Sequence, residues 1–130
     1  MILGVGSDIV NIQRIEKTIN RYGDKFLKRC FTKEEINKSE SRNNKAASYA
    51  KRFAAKEACS KALGTGISQG VFWKDIGVVN SKNGKPEIVL LGDAKKTLNQ
   101  LMPKNGVPKI SLTITDENNL AYAMVIISHS

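Results

Sequence analysis

Apolar and polar positions alternate at both ends of the chain and recur at helical spacing in between. Residues 2–12 read as a strand whose period of two puts Gly4, Gly6, Asp8, Val10 and Ile12 on one face. Leu3, Val5, Ser7, Ile9 and Asn11 fall on the other. A helix follows from about Gln13 to Tyr22, ended by Gly23. Its Ile15, Ile19 and Tyr22 share a face that has a core to meet, so the Arg14, Lys17 and Arg21 face points outward. Lys25, Lys28 and Arg29 extend that basic surface, with Phe26, Leu27 and Phe31 anchoring it. Thr32-Lys33-Glu34-Glu35 has the form of a capping box, opening a short helix to about Ser39. Ser41-Arg42-Asn43-Asn44 is a polar loop.

One long helix comes next. From Ala46 to Leu63 there is no proline or glycine, and seven alanines supply helix propensity. Gly64 suits the left-handed residue that ends a helix, and Gly66 frees the following turn. Beyond Gly70 the pattern returns to strands. Ile76–Asn80 and Glu87–Leu91 flank Asn83-Gly84, a hairpin signal. Gly92-Asp93 opens a helix to about Met102, and Pro103 to Pro108 form a loop. Lys109–Thr115 alternates with Ile110, Leu112 and Ile114 inward, Asp116 to Asn119 turns, and Leu120–Ser128 returns as the last strand. Strands at both ends with helices clustered between them predict an α+β fold: a mainly antiparallel sheet with a long central helix, one domain over residues 1–130.

Composition adds limits rather than chemistry. A hydrophobic content of 41% is ordinary for a globular domain. No apolar run reaches the ~18 residues of a membrane span, and Met1 leads straight into the first strand, so neither membrane nor signal peptide is expected. Cys30 and Cys59 are too few for a disulfide framework and too isolated for a zinc site, which makes reduced thiols and a cytoplasmic address the default. The net charge of +9 is uneven: residues 14–61 hold fourteen Lys and Arg against six Asp and Glu. Such a field attracts nucleic acid, anionic lipid, a phosphorylated small molecule or an acidic protein. The aromatics are scattered and no strand pairs them, which argues against an RNA-stacking sheet. A scaffold domain is the other rival, and for it the aspartate inside the first strand is an unexplained cost.

That aspartate is one of two places where chemistry concentrates. Asp is disfavoured within strands, yet Ile9 and Val10 continue past Asp8 rather than turning. Gly4 and Gly6 precede it on its own face, a weakness that close approach by another group would explain. On the long helix Ala50, Ala54, Glu57 and Lys61 share one face. Glu57 and Lys61 have the spacing of a helix ion pair, worth roughly 0.3–0.5 kcal/mol, and that solvated pair is one reading. The other is a bulky charged ligand, a phosphorylated molecule holding a metal ion, seated where the alanines leave room. Asn83-Gly84-Lys85-Pro86 reads first as a turn, Cys59 as a small packing residue, and His129 as tail.

Two stretches resemble a known family. Gly4-Val5-Gly6-Ser7-Asp8-Ile9-Val10-Asn11-Ile12 with Arg14-Ile15 is similar to the amino-terminal signature of the holo-acyl-carrier-protein synthases. Arg52-Phe53-Ala54-Ala55-Lys56-Glu57-Ala58, then Ser60-Lys61-Ala62-Leu63-Gly64-Thr65-Gly66-Ile67, resembles the second. The resemblance covers nearly the whole chain and implies a 4′-phosphopantetheinyl transferase-like fold. It implies transfer of the 4′-phosphopantetheine arm of coenzyme A to a serine of apo-acyl carrier protein, in fatty acid biosynthesis. Asp8 and Glu57 would bind Mg²⁺ on the coenzyme A pyrophosphate, Glu57, acting through a metal-bound water, would take the serine proton, and Lys61 would be a phosphate partner. Coenzyme A contacts would come from Arg52, Lys61, Gly64, Pro86 and Thr115, and the acidic carrier would meet Arg14, Lys17, Arg21, Lys25 and Lys28. A homotrimer with interfacial active sites is also implied, with no nucleic-acid partner. One departure stands out: many members carry a Ser-His-Thr step near the penultimate strand, where this chain reads Ser111-Leu112-Thr113-Ile114-Thr115-Asp116-Glu117 and has no histidine.

Overall fold

The computed structural model describes residues 1–66 and 73–130. Ile67, which ends the second signature, lies outside the described residues. The order is β1 (Ile2–Asn11), α1 (Ile12–Tyr22), α2 (Asp24–Cys30), α3 (Lys33–Glu40), α4 (Lys45–Leu63), β2 (Ile76–Asn80), β3 (Pro86–Leu90), α5 (Gly92–Leu101), β4 (Pro108–Glu117) and β5 (Leu120–His129). A 3-10 turn, Trp73–Asp75, leads into β2. Among the described residues all strand pairs are antiparallel, in two sheets ordered β1-β5-β4 and β2-β3. The α+β expectation holds, with the sheet split in two. Pro86 and Pro108 open β3 and β4, and a proline has no N–H to donate across the cleft of about 360 Å³ that both of them line. No described helix is long and apolar enough to cross a membrane.

Helix α4 packs on β1 and β5 through very small residues. Ala54, Ala55, Ala58 and Cys59 are wholly buried, as are Ala121 and Ala123 of β5. At β1 the helix comes so close that only glycine fits. A Cβ on Gly4 would lie 2.0 Å from the Ala62 carbonyl oxygen; one on Gly6 would lie 2.0 Å from that of Ala58 and 2.7 Å from the Ala62 nitrogen. The two glycines that weaken β1 as a strand are therefore what lets α4 seat on it. Gly64 ends the helix in the left-handed conformation at φ 86°.

Other helix ends follow the sequence closely. Asn11 caps α1 by accepting from Arg14 N at 3.0 Å, and Asn119 accepts from Gln13 N at 3.0 Å. Thr32 and Glu35 form the expected capping box of α3. The loop Ser81–Lys85 closes β2 on β3 through Ser81 N donating to Lys85 O at 2.8 Å, with Gly84 at φ 85°. The hairpin at Asn83-Gly84 forms as expected, with β3 starting one residue earlier, at Pro86.

Two readings need correction. The stretch Lys25–Arg29, read as basic surface anchored by Phe26, Leu27 and Phe31 but given no element of its own, lies in the helix α2, too short for its period to register, with Leu27 and Cys30 turned inward. Tyr22, placed with Ile15 and Ile19 on the core face, is 53% exposed. It closes the last turn before the reversal at Gly23, beyond the core, and the Arg21 guanidinium lies 5.2 Å from its ring centre.

A buried ion pair ties these layers together. Lys56 Nζ lies 2.8 Å from Glu35 Oε1, both side chains fully buried. Glu35 also accepts from Thr32 N at 2.8 Å and from Val78 N at 2.7 Å. Such a pair costs desolvation that only complete hydrogen bonding repays, and here α3, α4 and β2 all contribute.

Candidate active site

Close seating of α4 on β1 sets the geometry of the first polar cluster. Two residues past Gly6, Asp8 meets Lys61: Nζ lies 3.0 Å from Asp8 Oδ1 and 3.0 Å from the Ser7 carbonyl oxygen. Lys61 thus reaches across to the strand, and no Glu57–Lys61 ion pair forms among the described residues. Glu57, one turn earlier, accepts a hydrogen bond from Trp73 Nε1 at 3.0 Å. Burial pushes the Glu57 carboxyl above the usual carboxylate range. The Trp73 bond opposes this, Asp8's charge adds to it and Lys61 lowers it again. The charge of Asp8 thus acts on Glu57, and the half-exposed Lys61 ammonium is paired with Asp8.

This donor set fits Mg²⁺. Among the described residues no three His, Cys, Asp or Glu side chains group to hold a metal ion, and the acids of this cluster are Asp8 and Glu57. Mg²⁺ commonly takes one or two carboxylates and completes its octahedron with water and substrate phosphate oxygens.

A second cluster lies near the start of α4. Arg42, Ser48, Lys51, Arg52, Asn80 and Pro86 line a groove of about 540 Å³. Arg52 is 7% exposed, donates to Ser48 Oγ at 2.7 Å and to Asn80 Oδ1 at 3.4 Å, and has its Nε buried without a partner among the described residues. Lys51 pairs with Asp116 at 3.4 Å. The groove wall from β4 is formed by Ile114 and Asp116. Thr115 between them is exposed on the other face of that strand, so it is not brought to the groove of its own chain. Gly64 stays at the exposed end of α4, its N–H donating to Lys61 O at 3.0 Å.

A fold with two acids and a lysine at one end of a central helix and a basic groove at the other can now be set against known proteins. The profile of the 4′-phosphopantetheinyl transferase superfamily matches residues 4–122. The chain belongs to that superfamily. Holo-[acyl-carrier-protein] synthase of Rhizobium leguminosarum bv. trifolii is 61% identical over 127 residues, covering 98% of this chain and 95% of that protein. The crystal structure of the Neisseria meningitidis synthase is 35% identical with a TM-score of 0.86, covering 98% and 99% of the two chains. The Helicobacter pylori synthase, solved in complex with coenzyme A, is 35% identical with a TM-score of 0.81, covering 95% and 99%. The chain is an enzyme of this family.

Arg14, Lys17, Arg21, Lys25 and Lys28 are all exposed along α1 and α2, and none carries a salt bridge among the described residues. Four functional-looking residues escaped the sequence. Trp73 and Lys51 lack any motif of their own, Asn80 sits in a strand end, and Lys56 hides within the signature beside Glu57. A lysine amid fully buried alanines was the available signal.

Proposed function

We propose that this enzyme moves the 4′-phosphopantetheine group of coenzyme A to a serine of apo-acyl carrier protein, with Mg²⁺, and releases adenosine 3′,5′-bisphosphate. The serine oxygen bonds to the phosphorus that bears pantetheine as the bond to the leaving phosphate breaks, and the serine proton passes to Glu57. The observation that carries this reading is the pairing of Asp8 with Lys61, 53 positions apart in the chain, one helix turn from a Glu57 that feels both charges. Asp8 and Glu57 would hold the Mg²⁺. Bound there, it supplies charge neutralisation for the pyrophosphate. Lys61 exchanges Asp8 for a phosphate oxygen and donates most strongly as the leaving group gains charge. Arg52, with Lys51 and Pro86 beside it, holds the 3′-phosphonucleoside end. The bare backbone of Gly64 lets the pantetheine arm pass the end of α4.

These residues face different ways from one helix. Arg52 and Glu57 are five positions apart, about 140° around the helix, and Ser48 and Glu57 are about 180° apart. The outer face of β1 and β5 suggests how the halves meet. Val5 and Ile9 are 56% and 62% exposed, and their cross-strand partners Ile126 and Tyr122 share that face. A homotrimer joined through this surface would set the groove of one copy beside the acids of the next, with Thr115 at the seam. The exposed row Arg14, Lys17, Arg21, Lys25 and Lys28 would receive the acidic carrier protein, where charge acts mainly on association rate. Fatty acid biosynthesis in the cytoplasm is the setting that such a carrier implies.

Mass spectrometry of apo-acyl carrier protein incubated with coenzyme A, Mg²⁺ and the enzyme tests the proposal. One phosphopantetheine should be added per carrier, and none with Asp8→Ala or Glu57→Ala. An unmodified carrier under all conditions would contradict the reading.

A further inference from the structure

Lys56 and Glu57 are neighbours on α4, and both end on the same residue. The buried Lys56 ammonium donates to the Trp73 carbonyl at 2.9 Å and to the Ile76 carbonyl at 2.6 Å, with Glu35 at 2.8 Å. All three of its protons are thereby used. The Trp73 indole in turn donates to Glu57 Oε1 at 3.0 Å. Its ring is flanked by Phe53, centroids 5.7 Å apart, and the Arg29 guanidinium lies 5.8 Å from the ring centre. Backbone and side chain of Trp73 are thus both held, while Glu57 has no other side-chain hydrogen bond among the described residues.

We propose that Trp73 is a positioning residue for Glu57: anchored through its own carbonyl by the buried Glu35–Lys56 pair, its indole N–H holds one carboxylate oxygen and leaves the other for the cation. The inference rests on the reading of Asp8 and Glu57 as the Mg²⁺ site. A glutamate on a helix has several rotamers, and an unheld one must be ordered each time the ligand arrives. Ligating carboxylates that are hydrogen-bonded from behind avoid this, and losing such a partner typically lowers metal affinity about 10–100-fold. The Lys56 contact ties the Trp73 backbone to the core. An indole on a free loop could not fix a carboxylate, whereas one whose carbonyl is bonded to a buried ammonium can.

The test is calorimetric titration of coenzyme A into the enzyme with excess Mg²⁺ and again with EDTA, the ratio of affinities giving the metal-dependent gain. Trp73→Phe keeps an aromatic ring beside Phe53 and removes the indole N–H donor. Its gain should fall about tenfold while its affinity in EDTA stays at the wild-type value. Glu57→Gln should lose the gain more completely. Trp73 is the sole tryptophan, so its emission should also change on adding Mg²⁺ and coenzyme A to wild type, and not in Glu57→Ala. A full gain in Glu57→Gln would sink the metal-site reading and this inference with it. A lost gain in Glu57→Gln with a full gain in Trp73→Phe would overturn the positioning role alone. Equal weakening of Trp73→Phe in Mg²⁺ and in EDTA would reduce Trp73 to a packing residue.

Discussion

Lys61 Nζ sits 3.0 Å from Asp8 Oδ1, across the interface between α4 and β1, and leaves Glu57 on its own helix to Trp73. The pairing is between elements far apart in the chain, and it is half exposed on the lysine side. An exposed pair of this kind contributes roughly 0–1 kcal/mol to folding. Lys61→Ala should therefore leave urea stability within about 1 kcal/mol of wild type while turnover falls about a hundredfold, more than coenzyme A affinity does. A large stability loss with normal turnover would make Lys61 structural.

Gly6 sets the distance on which that pairing depends. A methyl group there meets the Ala58 carbonyl at 2.0 Å, and helix backbone cannot yield as a side chain could. Gly6→Ala should cost about 1–3 kcal/mol and lower turnover by shifting α4 away from Asp8. Wild-type stability and rate in this variant would show that the helix seat is not under constraint.

The fold was largely legible because its elements speak through local rules. Thr32 and Glu35 spell a capping box, Gly64 ends a helix, and β5 alternates. Asp8 and Glu57 stood out for a related reason: an acid in an apolar strand, and another among alanines, break the local pattern. What stayed hidden is set by distant contacts. Nothing adjacent to Lys56 reveals that Glu35, Trp73 and Ile76 converge on its ammonium, since that needs α3 and β2 folded over α4. Tyr22 misled for the converse reason, having the helical period of a core residue but lying past the core's edge.

The buried pair itself is open to measurement. Lys56→Met strands the Glu35 carboxylate in the interior and should cost about 3–5 kcal/mol in urea unfolding. Adding Glu35→Gln removes that stranded charge and should restore part of the loss. Strict additivity of the two substitutions would mean that the charges do not act as a pair.

Acid sensitivity should come partly from Glu40. Tyr49 Oη donates to Glu40 Oε2 at 2.7 Å and Lys45 Nζ lies 3.2 Å from Oε1; the Tyr49 bond, then Lys45, holds this carboxyl below its usual range. A carboxyl lowered by folding contributes stability above its unfolded pKa and loses it as pH falls through the folded value. Tyr49→Phe should cost about 1 kcal/mol at neutral pH, discounted for the exposure of Glu40, with the gap to wild type closing below about pH 4. Urea curves at pH 7 and pH 3 check this, and a gap independent of pH would remove Glu40 from the account.

The proposed division of the site across α4 decides the whole picture: on that reading, Asp8 and Arg52 act on the same coenzyme A only from different copies. Asp8→Ala and Arg52→Ala chains carrying different tags can be co-expressed and hybrid assemblies purified through both. Each variant alone should be inactive or nearly so. In a mixed ring of three, one interface pairs an intact acid cluster with an intact groove, so hybrids should recover about a third of wild-type turnover. Hybrids as inactive as their parents would contradict a site shared between copies.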